Sequence, residues 1–241
     1  MDSNRRSLLA LALASLTRSG ALAQSAPDHV PPAGETGFRP IFDGRTLAGW
    51  DGDPAFWRVE GGMIVGETSA SRQPKQNTFC IWRGGKPADF ELKAEYRITD
   101  GNSGFQYRSI ERPDIARWVM QGYQADIDAE QIYTGQLYEE RDRGFLAERG
   151  MFSSADLKPG KLGSTGGSAE LKSAIRSGDW NEMHIVARGN CLVHLINGRV
   201  MCGFIDGDPA HARAAGLMGI QLHVTQTGMK IEARNLRLKT L

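Results

Sequence analysis

The sequence predicts an all-β fold built as a two-sheet antiparallel sandwich, and three observations carry that reading. Long stretches alternate apolar and polar residues with the period of a strand. Turn signals built from Gly, Asp and Asn punctuate them at roughly 8–12-residue intervals. Helical periodicity is weak throughout, with Ala210–Ala215 the one segment that reads as a short helix.

The order along the chain follows from those signals. Met1–Ser7 carries Arg5-Arg6, Leu8–Leu16 is a short apolar run, and Ala21-Leu22-Ala23 is a small-x-small cleavage pattern before Gln24. A charged start, a short apolar centre and such an end read as a signal peptide over residues 1–23. The apolar run is far below the roughly 20 residues needed to span a bilayer. The chain is therefore expected to be periplasmic or secreted, by the general or the twin-arginine route. Residues 24–37, with Pro27, Pro31, Pro32, Gly34 and Gly37, read as a flexible lead-in. Residues 38–241 read as a single β-sandwich domain.

Within it, Asp89–Ile98 places Phe90, Leu92, Ala94, Tyr96 and Ile98 on one face and Glu91, Lys93, Glu95 and Arg97 on the other. Asp100-Gly101-Asn102 turns the chain into a strand over Ser103–Ile110. Glu182–Arg188, Cys191–Ile196, Leu217–Val224 and Met229–Leu238 follow the same pattern, with Asn197-Gly198 as a type I′ hairpin turn after Ile196. Leu137–Gly178, which holds charged residues, Pro159 and a Gly/Ser/Thr-rich patch, reads as a long functional loop.

Composition excludes several classes. The 241 residues carry 29 Lys+Arg against 28 Asp+Glu, a net charge of +1. Loss of residues 1–23 removes Arg5, Arg6 and Arg18 against Asp2, which leaves 218 residues at net −1. A near-neutral chain offers no footprint for nucleic acid, and no later apolar run suits a membrane. Three cysteines cannot make a disulfide framework. With a two-residue turn at Asn197-Gly198, Cys202 is expected opposite Val193 and out of reach of Cys191. No Cys/His spacing matches a structural zinc site.

The chemistry-bearing segment is Gly122–Glu130. As a strand it projects Gln124, Asp126, Asp128 and Glu130 from one face, with Tyr123, Ala125 and Ile127 packed behind. Carboxylates at alternate positions stand about 6.5–7 Å apart, and crowding of like charges raises at least one pKa. Such a pair can supply a general acid and a general base. A solvated strand face is the plain alternative. Asp126-Ile127-Asp128-Ala129-Glu130 is also similar to the Glu-x-Asp-x-Glu strand of laminarinase-type retaining hydrolases, although Asp126 shortens the first position by one methylene. That reading needs Glu130 within about 5–5.5 Å of Asp126.

A broader resemblance covers nearly all of the expected mature chain. Phe42-Asp43-Gly44-Arg45-Thr46-Leu47-Ala48-Gly49-Trp50 resembles the opening motif of the 3-keto-disaccharide hydrolase family. The likeness continues through Trp57–Gly62, Asp89–Leu92, Gly101–Gly104, Gly122–Ile127, Thr134–Glu140, Trp180–Glu182, Asn197-Gly198, Gln221–His223 and Asn235–Lys239. It implies a concanavalin A-like jelly roll whose concave sheet holds the site. It also implies cleavage of glycosides already oxidised to a ketone at C3, with a small-molecule sugar as partner.

Under that resemblance Asp126 is the candidate base or metal ligand and His223 the candidate acid or second base. Asn102, Gln106, Arg108, Gln124, Tyr138, Glu139, Gln221 and Glu95 are candidate sugar partners. Trp118 is the candidate stacking ring. Gln106 and Arg108 are expected on one face, and Tyr138-Glu139-Glu140-Arg141 is expected to close over the substrate. A divalent metal, with Asp126 and Asp128 as candidate ligands, is a possible cofactor. A non-catalytic carbohydrate-binding module is the reading from a different class, because this fold does not fix function.

Overall fold

The computed structural model describes residues 35–156 and 160–241, and the predicted signal peptide and most of the lead-in lie outside the described residues. The strands are β1 (Arg39–Pro40), β2 (Trp50–Asp51), β3 (Trp57–Glu60), β4 (Met63–Thr68), β5 (Thr78–Trp82), β6 (Phe90–Ile98), β7 (Asn102–Glu111) and β8 (Met120–Asp128). They continue with β9 (Leu137–Glu140), β10 (Gly144–Ala147), β11 (Met151–Ser154) and β12 (Lys161–Ser164), followed by a one-turn helix α1 (Ser168–Ser173). The last are β13 (Asn181–Arg188), β14 (Cys191–Ile196), β15 (Arg199–Ile205), β16 (Leu217–Leu222) and β17 (Met229–Thr240).

They form two sheets. One runs β12-β11-β15-β14-β13-β6-β17-β4-β3, with β1 on β17; the other runs β10-β9-β8-β7-β16-β5-β2. Pairing is antiparallel except between β11 and β15. The result is a jelly-roll sandwich. Its core lies between the sheets and includes Phe90, Tyr96, Phe105, Tyr107, Tyr123 and Ile127. Edge-to-face contacts order the rings, as between Tyr96 and Phe105 at 6.3 Å, the geometry that aromatic quadrupoles favour.

The two outer faces differ, and the difference locates the site. β6 alternates buried and half-exposed residues along its whole length. Its outward Glu91, Lys93, Glu95 and Arg97 pair with Lys239, Glu35, Arg234 and Glu232 in a solvated charge ladder. In the middle of the second sheet both faces are buried: β5, β8 and β16 have no exposed position. A strand buried on both faces with Gln and Asp at alternate positions has a polar surface that is not simply facing water.

Some expectations need correction. Leu137–Gly178 is not one long loop: it contributes β9 to β12 and α1, because its short apolar stretches complete the edges of both sheets. Ala210–Ala215 forms turns and bends, not a helix: Asp208 holds the start of the segment, its carboxylate accepting from the Ala210 N–H and its carbonyl from the His211 and Ala212 N–H groups. The Asn197-Gly198 turn forms as expected, with φ of 50° and 77°. A bulge between His194 and Leu195, however, places Cys202 opposite His194 and not Val193. Among the described residues the cysteines are free.

Candidate active site

On β8 the core-facing residues are Tyr123, Ala125 and Ile127, so alternation sends Gln124, Asp126 and Asp128 to the outer face. Cross-strand register extends that face. Phe145, Tyr138, Gln124, Gln106 and Gly219 stand opposite one another in a row across β10, β9, β8, β7 and β16. Gly104 lies directly opposite Asp126. A Cβ at Gly104 would stand 2.5 Å from Gln124 Cγ. The glycine therefore leaves room for the amide that reaches Asp126.

That amide opens a hydrogen-bonded chain. Gln124 Nε2 donates to Asp126 Oδ1 at 2.6 Å and to Gln221 Oε1 at 3.4 Å. Gln221 Nε2 donates to Glu140 Oε2 at 3.2 Å, and Asn77 Nδ2 donates to Glu140 Oε1 at 3.2 Å. Arg141 Nε stands 3.7 Å from Glu140. His223 follows β16, half-buried; its Nδ1 donates to the Val224 carbonyl at 2.6 Å, which leaves Nε2 for other chemistry. Gln106 Nε2 donates to the Gly122 carbonyl at 3.1 Å. The Oε1 atoms of Gln106 and Gln124 are buried and accept nothing among the described residues.

Electrostatics single out one group. Asp126 is 4% exposed. Burial, with the nearby Asp128 and Glu140 charges adding to it, pushes its carboxyl up to about 8 against the pull of the Gln124 amide. Burial also raises Glu140, opposed by Asn77, Arg141, His223 and Gln221. It raises Tyr138 too, with the charges of Glu140 and Asp126 contributing. These groups thus share one low-dielectric floor. A carboxyl poised near neutral pH is suited to moving a proton.

The structure brings Asp126, Gln106, Gln124, Tyr138 and Gln221 together on this face, with Asn102 at its edge opposite Asp128. Other predicted residues go elsewhere. Glu139 faces the core side, opposite Tyr123, and pairs with Arg143 at 2.5 Å; Glu140 takes the outer position. Arg108 does not share a face with Gln106. The β7 register shifts after Tyr107, Arg108 adopts φ 42°, and its guanidinium donates to the Ala88, Gly189 and Arg213 carbonyls. Glu95 lies on the other sheet, holding Arg234 and Asn235. Trp118 packs on Phe79, Ile81, Met120 and Leu217. Its indole N–H donates to Asp51 at 2.6 Å and Arg117 covers its ring at 4.1 Å, so it offers no free stacking face.

Asp128 is committed to structure. Its carboxylate accepts from the backbone N–H of Ile132, Tyr133 and Thr134 and from the Thr134 hydroxyl. These bonds staple the β8–β9 loop and occupy the oxygens a metal would need. Among the described residues no group of three or more His, Cys, Asp or Glu is placed to hold a metal ion. Glu130 lies beyond β8, exposed, in the turn whose Glu130 carbonyl accepts from Lys172. Strand alternation therefore does not carry it to the Asp126 face, which removes the laminarinase-type pair.

Sequence reasoning missed Asn77 and chose Glu139 over Glu140. Period-two alternation from Tyr138 would have selected Glu140. Nothing local marks Asn77, whose partner is 63 residues away.

This buried, amide-lined carboxyl floor lies on one sheet of a jelly roll, and the family match places the chain in a carbohydrate-active class of protein. Residues 37–239 match the model of the 3-keto-alpha-glucoside-1,2-lyase-like domain, and the chain belongs to that family. Two candidate glycosyl hydrolases of Parabacteroides distasonis ATCC 8503 share the fold. One is 21% identical with a TM-score of 0.57, covering 85% of this chain and 94% of that one. The other is 17% identical with a TM-score of 0.57, covering 85% and 99%. The carbohydrate-binding module CBM66 from Bacillus subtilis is 14% identical with a TM-score of 0.51, covering 80% and 96%. No protein of curated function matches the chain.

Proposed function

We propose that this protein cleaves 3-keto-glycosides by elimination followed by hydration. A ketone at C3 acidifies the C2 hydrogen, because the carbanion left behind delocalises into an enolate. A base removes that proton, the electron pair forms the C1–C2 double bond, and the C1–O bond breaks as an acid protonates the leaving oxygen. Water then adds across the enone, so the net reaction is hydrolysis without an oxocarbenium ion.

The observation that carries the reading is the Asp126 carboxyl, buried among amides and pushed up to about 8. A carboxylate with that basicity takes a carbon-bound proton far better than a solvated one. Asp126 is the base. His223, with Nδ1 held by the Val224 carbonyl, presents Nε2 as the acid for the leaving oxygen. Gln124 and Gln106 place amides on the floor beside it, where their unpartnered Oε1 atoms accept from sugar hydroxyls and the second N–H of Gln106 Nε2, whose first goes to the Gly122 carbonyl, donates to the developing enolate oxygen. Family membership supports the substrate class.

The test is cleavage of a 3-keto-disaccharide beside its unoxidised parent across pH. With Asp126 as base, kcat/KM rises with pH through about 8, and Asp126→Asn lowers it by about 10²–10⁴-fold. A limb that falls through that pH would make Asp126 the acid. Undiminished sugar binding with no turnover of either compound would instead favour a binding module.

A further inference from the structure

We propose that the rings of Tyr133, Tyr138 and Phe145 form the subsite for the leaving group, and that this subsite selects a flat aryl aglycone. The inference rests on the reaction above and deepens it.

Exposed large apolar side chains cluster beside the site. Tyr133 is 40% exposed, Phe145 47% and Ile132 48%. Tyr133 and Phe145 stack with ring centroids 5.3 Å apart and planes inclined by 23°, and Tyr138 meets Phe145 edge-on at 5.0 Å. The wall is continuous with the catalytic floor. Phe145 stands directly opposite Tyr138, and Tyr138 directly opposite Gln124, whose amide reaches Asp126. Tyr138 also feels the charges of Glu140 and Asp126.

The wall is built, not incidental. Tyr133 sits in the β8–β9 loop, where its backbone N–H donates to Asp128 Oδ1 at 2.9 Å, with Ile132 and Thr134 held by the same carboxylate. Three rings anchored on two strands and a stapled loop cost little entropy to present. Exposed aromatic surface rimmed by polar groups marks a binding site. A sugar ring needs hydroxyl partners along its edge; here the outer end of the row is Phe145, which has none. A flat aromatic ring needs only a face.

The experiment compares phenyl and methyl 3-keto-glucosides, both anomers, in wild type, Phe145→Ala and Tyr133→Ala. Wild type prefers the phenyl substrate in KM. In Phe145→Ala the phenyl-to-methyl ratio of kcat/KM falls about tenfold, the scale of one aromatic contact; Phe145→Trp restores it. Binding of the same two compounds to Asp126→Asn and to the Asp126→Asn/Phe145→Ala pair, by calorimetry, gives a readout free of turnover. An unchanged ratio in both assays overturns the subsite. Wild type that cleaves neither compound yet binds phenyl more tightly through Phe145 overturns the reaction and leaves the subsite standing.

Discussion

At the residue scale, Asp126 couples reactivity to stability. Its folded-state pKa, about 8, lies above the ordinary 3.8. The native carboxyl therefore favours folding fully below the unfolded value, and that contribution is lost as pH rises through about 8. The expected outcome is that Asp126→Asn, a neutral isostere, is more stable than wild type at pH 9 and closely matched at pH 4. At about 1.4 kcal/mol per pKa unit, the gain at high pH is a few kcal/mol, worth about 2–4 °C in Tm for each kcal/mol. Thermal unfolding at the two pH values checks it; equal Tm differences at both would mean that the carboxylate is not buried in the native state. Gln124 explains how such a group is tolerated. Its amide supplies one strong hydrogen bond to the ionised form, enough to keep proton exchange accessible without fixing either state.

At the element scale, the β8–β9 connection is a device hung on Asp128. One carboxylate accepts three backbone N–H groups and a hydroxyl, and hydrogen bonds to a charged acceptor are worth about 1.5–3 kcal/mol each. Asp128→Ala is expected to cost about 3 kcal/mol, since part of the loss is recovered by water. Amide exchange at residues 132–134 rises with it. Exchange that stays at the wild-type rate would show that the loop holds itself. The same strand shows why alternation was a sound guide on β8 and a poor one on β7. β8 keeps a regular pleat, so Gln124, Asp126 and Asp128 share a face. In β7 the register shift after Tyr107 turns Arg108 aside to meet three carbonyls.

At the scale of the whole molecule, charge is segregated by face. The outer surface of the β6-containing sheet is a ladder of solvated ion pairs, while the β8-containing sheet concentrates buried carboxyls and amides. Near-neutral net charge therefore conceals a locally acidic site suited to an uncharged sugar. The N-terminal region carries a separate expectation. If Arg5-Arg6, Leu8–Leu16 and Ala21-Leu22-Ala23 act as an export signal, the mature protein begins at Gln24. N-terminal sequencing of exported material checks this, and a chain still beginning near Met1 would contradict it.

The sequence by itself determined the long strands outside Leu137–Gly178, because period-two patterning and the Asn197-Gly198 turn are local properties of the backbone; the four short strands within that segment form only by pairing at the sheet edges. It also determined the Asp126 face, because pleating alone sends Gln124 and Asp126 to one side. Tertiary structure decided what each polar side chain does there. Asn77 reaches Glu140 across 63 residues, Asp128 is consumed by the loop that follows it, as far as Thr134, and Glu95 is carried to the opposite sheet. These outcomes depend on register, bulges and burial, which arise only when distant strands pair and withdraw particular carboxyls from water.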